Sequence, residues 1–245
     1  MKKLLAYPLT IIYMLFFGLT LLFFHPIQFL CFNLFGYQAH KKSVDSLNFF
    51  LVRCLHLLGV RYTISNRHNI APGQPTIIVA NHQSMSDIPP IIWFMRKFHP
   101  KFISKKELGK GIPSVSYNLR HGGSVLIDRK DPVQSIKLIK RFAQDVKNNN
   151  WAAVIFPEGT RSRDGRPKPF KRKGLQTLIE HIPNAVIIPI SISNSWKTLR
   201  YGKFPMGIGA HIKFHVLEPL NAKSYDVNEL IDHIEEQIIN HISND

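Results

Sequence analysis

Acidic residues are scarce in this sequence. Asp and Glu number 16 against 32 Lys and Arg, a formal net charge of +16. A surplus of that size calls for an anionic partner: nucleic acid, a phospholipid surface or a phosphorylated substrate. Cysteine is scarcer still, with only Cys31 and Cys54, both inside apolar runs. That argues against a disulfide framework and a cysteine metal site, and each reads as a small buried hydrophobe. There is no Gly-x-Ser-x-Gly turn of the kind that presents a nucleophilic serine. Internal repeats, low-complexity tracts and recognisable nucleic-acid motifs are also missing. A length of 245 residues suits one α/β domain plus an appendage.

What is plentiful is apolar sequence near the start. Leu4 to Phe24 is a run of 21 residues without a charge, about 31 Å long as a helix. That is about the thickness of a hydrocarbon core. A signal peptide would have a shorter apolar core and a small-residue cleavage site, so the run reads as a retained membrane element. Two shapes are open: a single span, or a hairpin turned at His25-Pro26. Lys2-Lys3 and Lys41-Lys42 flank the stretch and favour the hairpin, with both ends on one side. Residues 1–42 are thus expected as a membrane-embedded helical segment, and 43–245 as the second unit.

Residues 43–59 read as an amphipathic helix with Val44, Leu47, Leu51, Leu55 and Leu58 on one stripe. Strands are then expected over 60–65, 76–80, 101–104, 124–128, 151–156, 186–192 and 210–217. Helices are expected over 88–98, 113–120, 131–148, 173–182 and 226–242. Asp131-Pro132 supplies a cap and a first-turn proline for the third of these. Pro189 argues against a central place in the sheet for its strand. Alternating strands and helices predict a single α/β domain, with a largely parallel sheet flanked by helices on both faces.

Two polar stretches follow buried-strand runs. Asn81-His82-Gln83-Ser84-Met85-Ser86-Asp87 follows residues 76–80, and Pro157-Glu158-Gly159-Thr160-Arg161-Ser162 follows residues 151–156. In open α/β sheets ligands bind at such strand ends. A histidine near an aspartate is a usual pair for activating a hydroxyl. Residues five apart lie about 140° round a straight helix, so the two can meet only with His82 on the loop and Asp87 in the first helical turn. The plainer alternative makes Asp87 or Ser86 a helix cap and His82 a surface residue. From Arg161 to Lys173 runs a basic stretch opposed only by Asp164.

The two stretches, in this order, resemble the first and third motifs of the glycerolipid acyltransferases, most of all the branch that acylates 1-acyl-glycerol-3-phosphate. The likeness extends from about Val60 to Pro219. It implies transfer of a fatty acyl group from acyl-CoA or acyl-carrier protein, as co-substrate, to the free hydroxyl of a lysophospholipid acceptor. His82 would be the base and Asp87 its orienting partner. Arg129, Arg161 and Lys105 would meet the acceptor phosphate, with Gly159 and Thr160 in the same binding loop. Glu158 would either bind an acceptor hydroxyl, as the resemblance implies, or tie the loop to the backbone. Neither a metal nor a further cofactor is required. A second motif, from Lys106-Glu107-Leu108 to Ile127-Asp128-Arg129, departs from the family pattern. Leu108 and Pro113 are one residue further apart than usual, and Ser116 stands where glycine is common.

The expected setting is the cell membrane, with the bilayer as partner and the catalytic domain facing the cytoplasm. Departures in the second motif keep another acceptor open, such as a lyso-aminoacyl (ornithine-type) lipid. Outside this class stand a non-catalytic lipid-binding module and a nucleic-acid-binding protein. The intact His82 and Asp87 weigh against the first. The long uncharged stretch weighs against the second, so nucleic acid is not an expected partner.

Overall fold

The computed structural model describes residues 2–243; Met1, Asn244 and Asp245, at the outer ends of the two expected spans, lie outside them. The chain opens with a long apolar helix, α1 (Lys2–His56), interrupted at Gly36 with φ 74°. Glycine takes that left-handed conformation at little cost, so the interruption falls there. The two arms, residues 2–35 and 37–56, fold back on each other. Thr20 Oγ1 meets Cys54 Sγ at 3.7 Å, and the Phe24 and Phe50 rings stand 5.7 Å apart. Nearer the turn, the Phe32 and His40 rings are 5.4 Å apart. Leu21 and Phe24 pack on Leu47 and Leu51 between the arms.

The chain thus forms a hairpin, but its turn is at Gly36 and not at His25-Pro26. Pro26 stays inside the first arm. A proline costs a helix one hydrogen bond and can be carried as a kink, whereas positive φ ends it. The boundary expected between residues 42 and 43 falls within the second arm. One side of the first arm has no cover among the described residues. Leu4, Ile11, Leu15, Leu22 and Leu34 are each more than half exposed. By length and composition this helix could cross a membrane.

Strands and helices then alternate: β1 (Arg61–Asn66), β2 (Thr76–Ala80), α2 (Ile88–Phe94), β3 (Pro100–Lys105), α3 (Val115–His121) and β4 (Val125–Ile127). They continue as α4 (Pro132–Asn149), β5 (Ala152–Ile155), α5 (Arg172–His181), β6 (Val186–Ser193), β7 (His211–Val216), β8 (Leu220–Asn221) and α6 (Val227–Asn240). Asp131 and Asp226 cap α4 and α6 by accepting backbone N–H groups. The sheet runs β1-β7-β6-β2-β5-β3-β4, with β8 beside β6. β6 is antiparallel to β7 and β8, and the other neighbouring pairs are parallel.

Successive strand residues point to opposite faces. Ile78, Val154 and Ile188 join a core with Leu55 of α1, Leu58 in the turn after it and Ile91 of α2. Ile77, Ala153 and Ile187 join another with Phe142 of α4, Leu178 of α5 and Ile234 of α6. Helices therefore cover both faces.

β6 stands in the middle of the sheet, contrary to the expectation from Pro189. On one edge Pro189 is in register with Val79 of β2. On the other, β8 pairs with Val186 and Ile187, and β7 pairs with Ile190 to Ser193. Pro189 falls in the gap between β8 and β7, where its missing N–H interrupts no ladder. Its carbonyl accepts from the Leu217 N–H at 2.9 Å.

Candidate active site

β2 and β5 are parallel neighbours, so the loops that follow them leave from one edge. In the first loop Ser84 caps the turn Met85–Asp87. Its hydroxyl accepts from the Ser86 N–H, and the Asp87 carboxylate reaches back to the Ser84 N–H, each at 2.9 Å. This reciprocal capping turns Asp87 toward His82. Asp87 Oδ2 also accepts from the Gln83 N–H and meets His82 Nδ1, both at 2.8 Å. Asp87 is fully buried, and the His82 side chain is 14% exposed. A carboxylate only accepts, so Nδ1 carries the hydrogen and Nε2 is the nitrogen free to take one. The capping role and the pairing role of Asp87 coexist. Ser84 is the capping residue.

Glu158 is 1% exposed, and both of its oxygens are engaged. Oε1 accepts from the His82 N–H at 2.7 Å and Oε2 from the Lys168 N–H at 2.9 Å. Of the two readings open for this residue, the tie to the backbone is the one its contacts match. Burial pushes its carboxyl above the ordinary range, and the two backbone bonds oppose that. The Ser162 N–H donates to the His82 carbonyl at 2.8 Å, so both backbone groups of residue 82 are held by the second loop. Gly159 has φ 68°, and a Cβ there would come within 3.1 Å of the Lys171 side chain.

The cations gather at the same edge. β4 delivers Arg129, whose Nη1 donates to the Gly159 carbonyl at 2.7 Å. Burial and the charge of nearby Arg161 both lower its pKa, while Glu107 raises it. Each guanidinium presents a planar fork of N–H donors of the kind that matches carboxylate or phosphate oxygens. Lys105 ends β3, exposed, in register with Ile127 just before Arg129. Lys106, not Lys105, pairs with Asp128. Thr160 is exposed on the rim. Ser116 closes the loop ahead of α3, donating to the Leu108 carbonyl at 2.9 Å and accepting from the Ile112 N–H at 3.0 Å. The lengthened second motif is stitched together by that hydroxyl.

Three further residues shape the site and were not singled out from the sequence. Asn81 accepts from the Ile192 N–H at 2.7 Å and donates to its carbonyl at 2.8 Å, locking the first loop to β6. Gln83 Oε1 accepts from the Ser195 N–H at 3.0 Å. Both are polar residues beside His82 at the end of an apolar strand, which is a usable signal. Phe156 stacks on the His82 ring, centroids 4.2 Å apart and planes at 19°. An aromatic ending a buried strand carries no such signal, since it reads as core.

The model of the acyltransferase family matches residues 61–193, more than half of the chain and the span that holds both loops. The chain belongs to the acyltransferase family. This acyltransferase is 28% identical over 203 residues to the 1-acyl-sn-glycerol-3-phosphate acyltransferase alpha of Ovis aries, a match covering 81% of this chain and 68% of that one. It is 38% identical over 128 residues to the 1-acyl-sn-glycerol-3-phosphate acyltransferase of Helicobacter pylori, covering 49% of this chain and 51% of the relative. The crystal structure of the 1-acyl-sn-glycerophosphate acyltransferase PlsC from Thermotoga maritima has the same fold. It matches 98% of this chain and 95% of that one with a TM-score of 0.78, at 24% identity.

Proposed function

We propose that this acyltransferase moves a fatty acyl group from a thioester to the free hydroxyl of 1-acyl-glycerol-3-phosphate, giving phosphatidic acid. The observation that carries this reading is the 2.8 Å contact between His82 Nδ1 and buried Asp87. It leaves Nε2 free to take the proton of the acceptor hydroxyl as that oxygen attacks the thioester carbonyl. Asp87 keeps the tautomer and stabilises the imidazolium. The thiolate then leaves and recovers the proton from His82. General-base help of this kind is typically about 10²–10⁴-fold. The acceptor alcohol is the nucleophile, so the capping hydroxyl of Ser84 has no part.

In this reading Arg129 and Arg161 take the acceptor phosphate, with Lys105 beside them and Thr160 on the rim. The names of the relatives support that acceptor. The donor is acyl-CoA or acyl-carrier protein, and this chemistry calls for no other cofactor or metal. The uncovered side of α1 lies in the bilayer. The second arm contributes Leu55 to the core of the domain, and the turn after it contributes Leu58, so the hairpin enters the bilayer from one side. The basic loop 161–173 then faces the headgroups. The setting is the cell membrane, with the catalytic domain on the cytoplasmic side. The test is purified protein with labelled acyl-CoA or acyl-carrier protein and a panel of lysolipids. The phosphate-headed acceptor should be used best. Equal use of an ornithine-type lysolipid would overturn the assignment of the acceptor.

A further inference from the structure

Phe156 lies face to face with the imidazole of His82, at 4.2 Å and 19°. Behind it, the Phe102 ring is 6.2 Å away at 30°, so Phe156 is itself backed by a buried aromatic. The edge of the His82 ring is held by Asp87, and its backbone by Glu158 and Ser162. None of these contacts touches the face of the imidazole. Phe156 does.

We infer that Phe156 is a positioning residue for the reaction, stabilising the His82 imidazolium through its ring face and fixing the plane in which Nε2 meets the acceptor. This rests on the reading of His82 as the base. The physical ground is the ring quadrupole, which is negative on its face and attracts a cation lying over it. A neutral imidazole gains less, so the contact strengthens as the proton arrives. Stacking also restricts rotation of the imidazole about its Cβ–Cγ bond, a torsion that is otherwise broad. A leucine at 156 would exclude water from the same face and offer no quadrupole. Comparing Leu with Phe therefore separates the ring effect from simple burial.

The experiment uses the full-length protein in detergent with lysolipid acceptor and labelled acyl donor. Variants are Phe156→Leu, Phe156→Met and Phe156→Tyr, with His82→Gln as reference. Phe156→Leu should lower kcat about tenfold, leave the acceptor KM within about twofold, and move the acid limb of the pH–rate profile down by about 0.5–1 unit. Phe156→Tyr should restore both. The histidine resonance absent from His82→Gln should titrate lower by the same amount in Phe156→Leu, a readout independent of turnover. Phe156→Met serves if the leucine variant melts early. Unchanged titration of that resonance and an unchanged acid limb, with a matching Tm, would overturn the inference while leaving His82 as base. Near-normal turnover of His82→Gln would instead remove the base, and the inference with it.

Discussion

Glu158 holds the backbone of His82, accepting its N–H on Oε1 at 2.7 Å while Oε2 accepts the Lys168 N–H. The two loops of the site are thus one unit, joined through a buried carboxylate. Glu158→Ala should leave the part-buried N–H of His82 and that of exposed Lys168 without their acceptor, with a cost of up to about 1–3 kcal/mol at His82 and less at Lys168, where water can replace the bond. The melting temperature should drop and kcat fall, with acceptor KM nearly unchanged. A variant of wild-type stability with a strongly raised KM would mean that the carboxylate meets the acceptor instead.

Arg161 and Arg129 should separate under mutation. Arg161→Ala should cost about 1.5–3 kcal/mol in kcat/KM on a phosphate-headed lysolipid and little on one without phosphate. Arg129 also donates to Gly159, so Arg129→Ala should lose activity on both acceptors. Equal losses on both acceptors for Arg161→Ala would make that residue structural.

Lys101 carries a pH dependence of stability. It is 6% exposed, with its Nζ 4.7 Å from the Tyr37 ring and 4.9 Å from the Trp151 ring. Burial pushes its ammonium down to about 7 from 10.5, Lys41 acts in the same direction, and Asp45 opposes. Between those values the unfolded chain holds a proton that the folded chain has given up. Stability from this group therefore rises with pH through that window and falls as pH drops toward 7. Lys101→Met should melt higher than wild type near pH 7, and its melting temperature should climb less toward pH 9. Parallel melting curves across that range would contradict this.

The uncovered side of α1 should hold the protein to lipid. Leu15 and Leu19, four residues apart, are both more than half exposed. Leu15→Lys with Leu19→Lys should convert the protein from detergent-requiring to salt-extractable, without changing its melting temperature. Undiminished vesicle binding in high salt would show that another apolar surface anchors it.

Much of this is legible in the sequence, for identifiable reasons. Asp131-Pro132 and the apolar runs of β2 and β5 are local signals, and local structure obeyed them. His82 and Asp87 could be paired because a capping turn is the one local geometry that joins residues five apart. The hairpin turn was not legible. Apolar sequence continues on both sides of Gly36, and Pro26 is the louder signal. What decides is Leu21 and Phe24 packing on Leu47 and Leu51, contacts distant in the chain. Pro189 is similar, since its tolerance depends on where β7 ends and β8 begins. Glu158 stood open because its role is set by two donors, one 76 residues before it and one ten after.

The most direct test is the rate of acyl transfer by His82→Ala at saturating donor and acceptor, beside its melting temperature and vesicle binding. A loss of about 10²–10⁴-fold, with fold and binding intact, is the result predicted for a general base. Turnover within a few-fold of wild type would contradict the account, because no other described residue combines a free ring nitrogen with a buried carboxylate at this edge of the sheet.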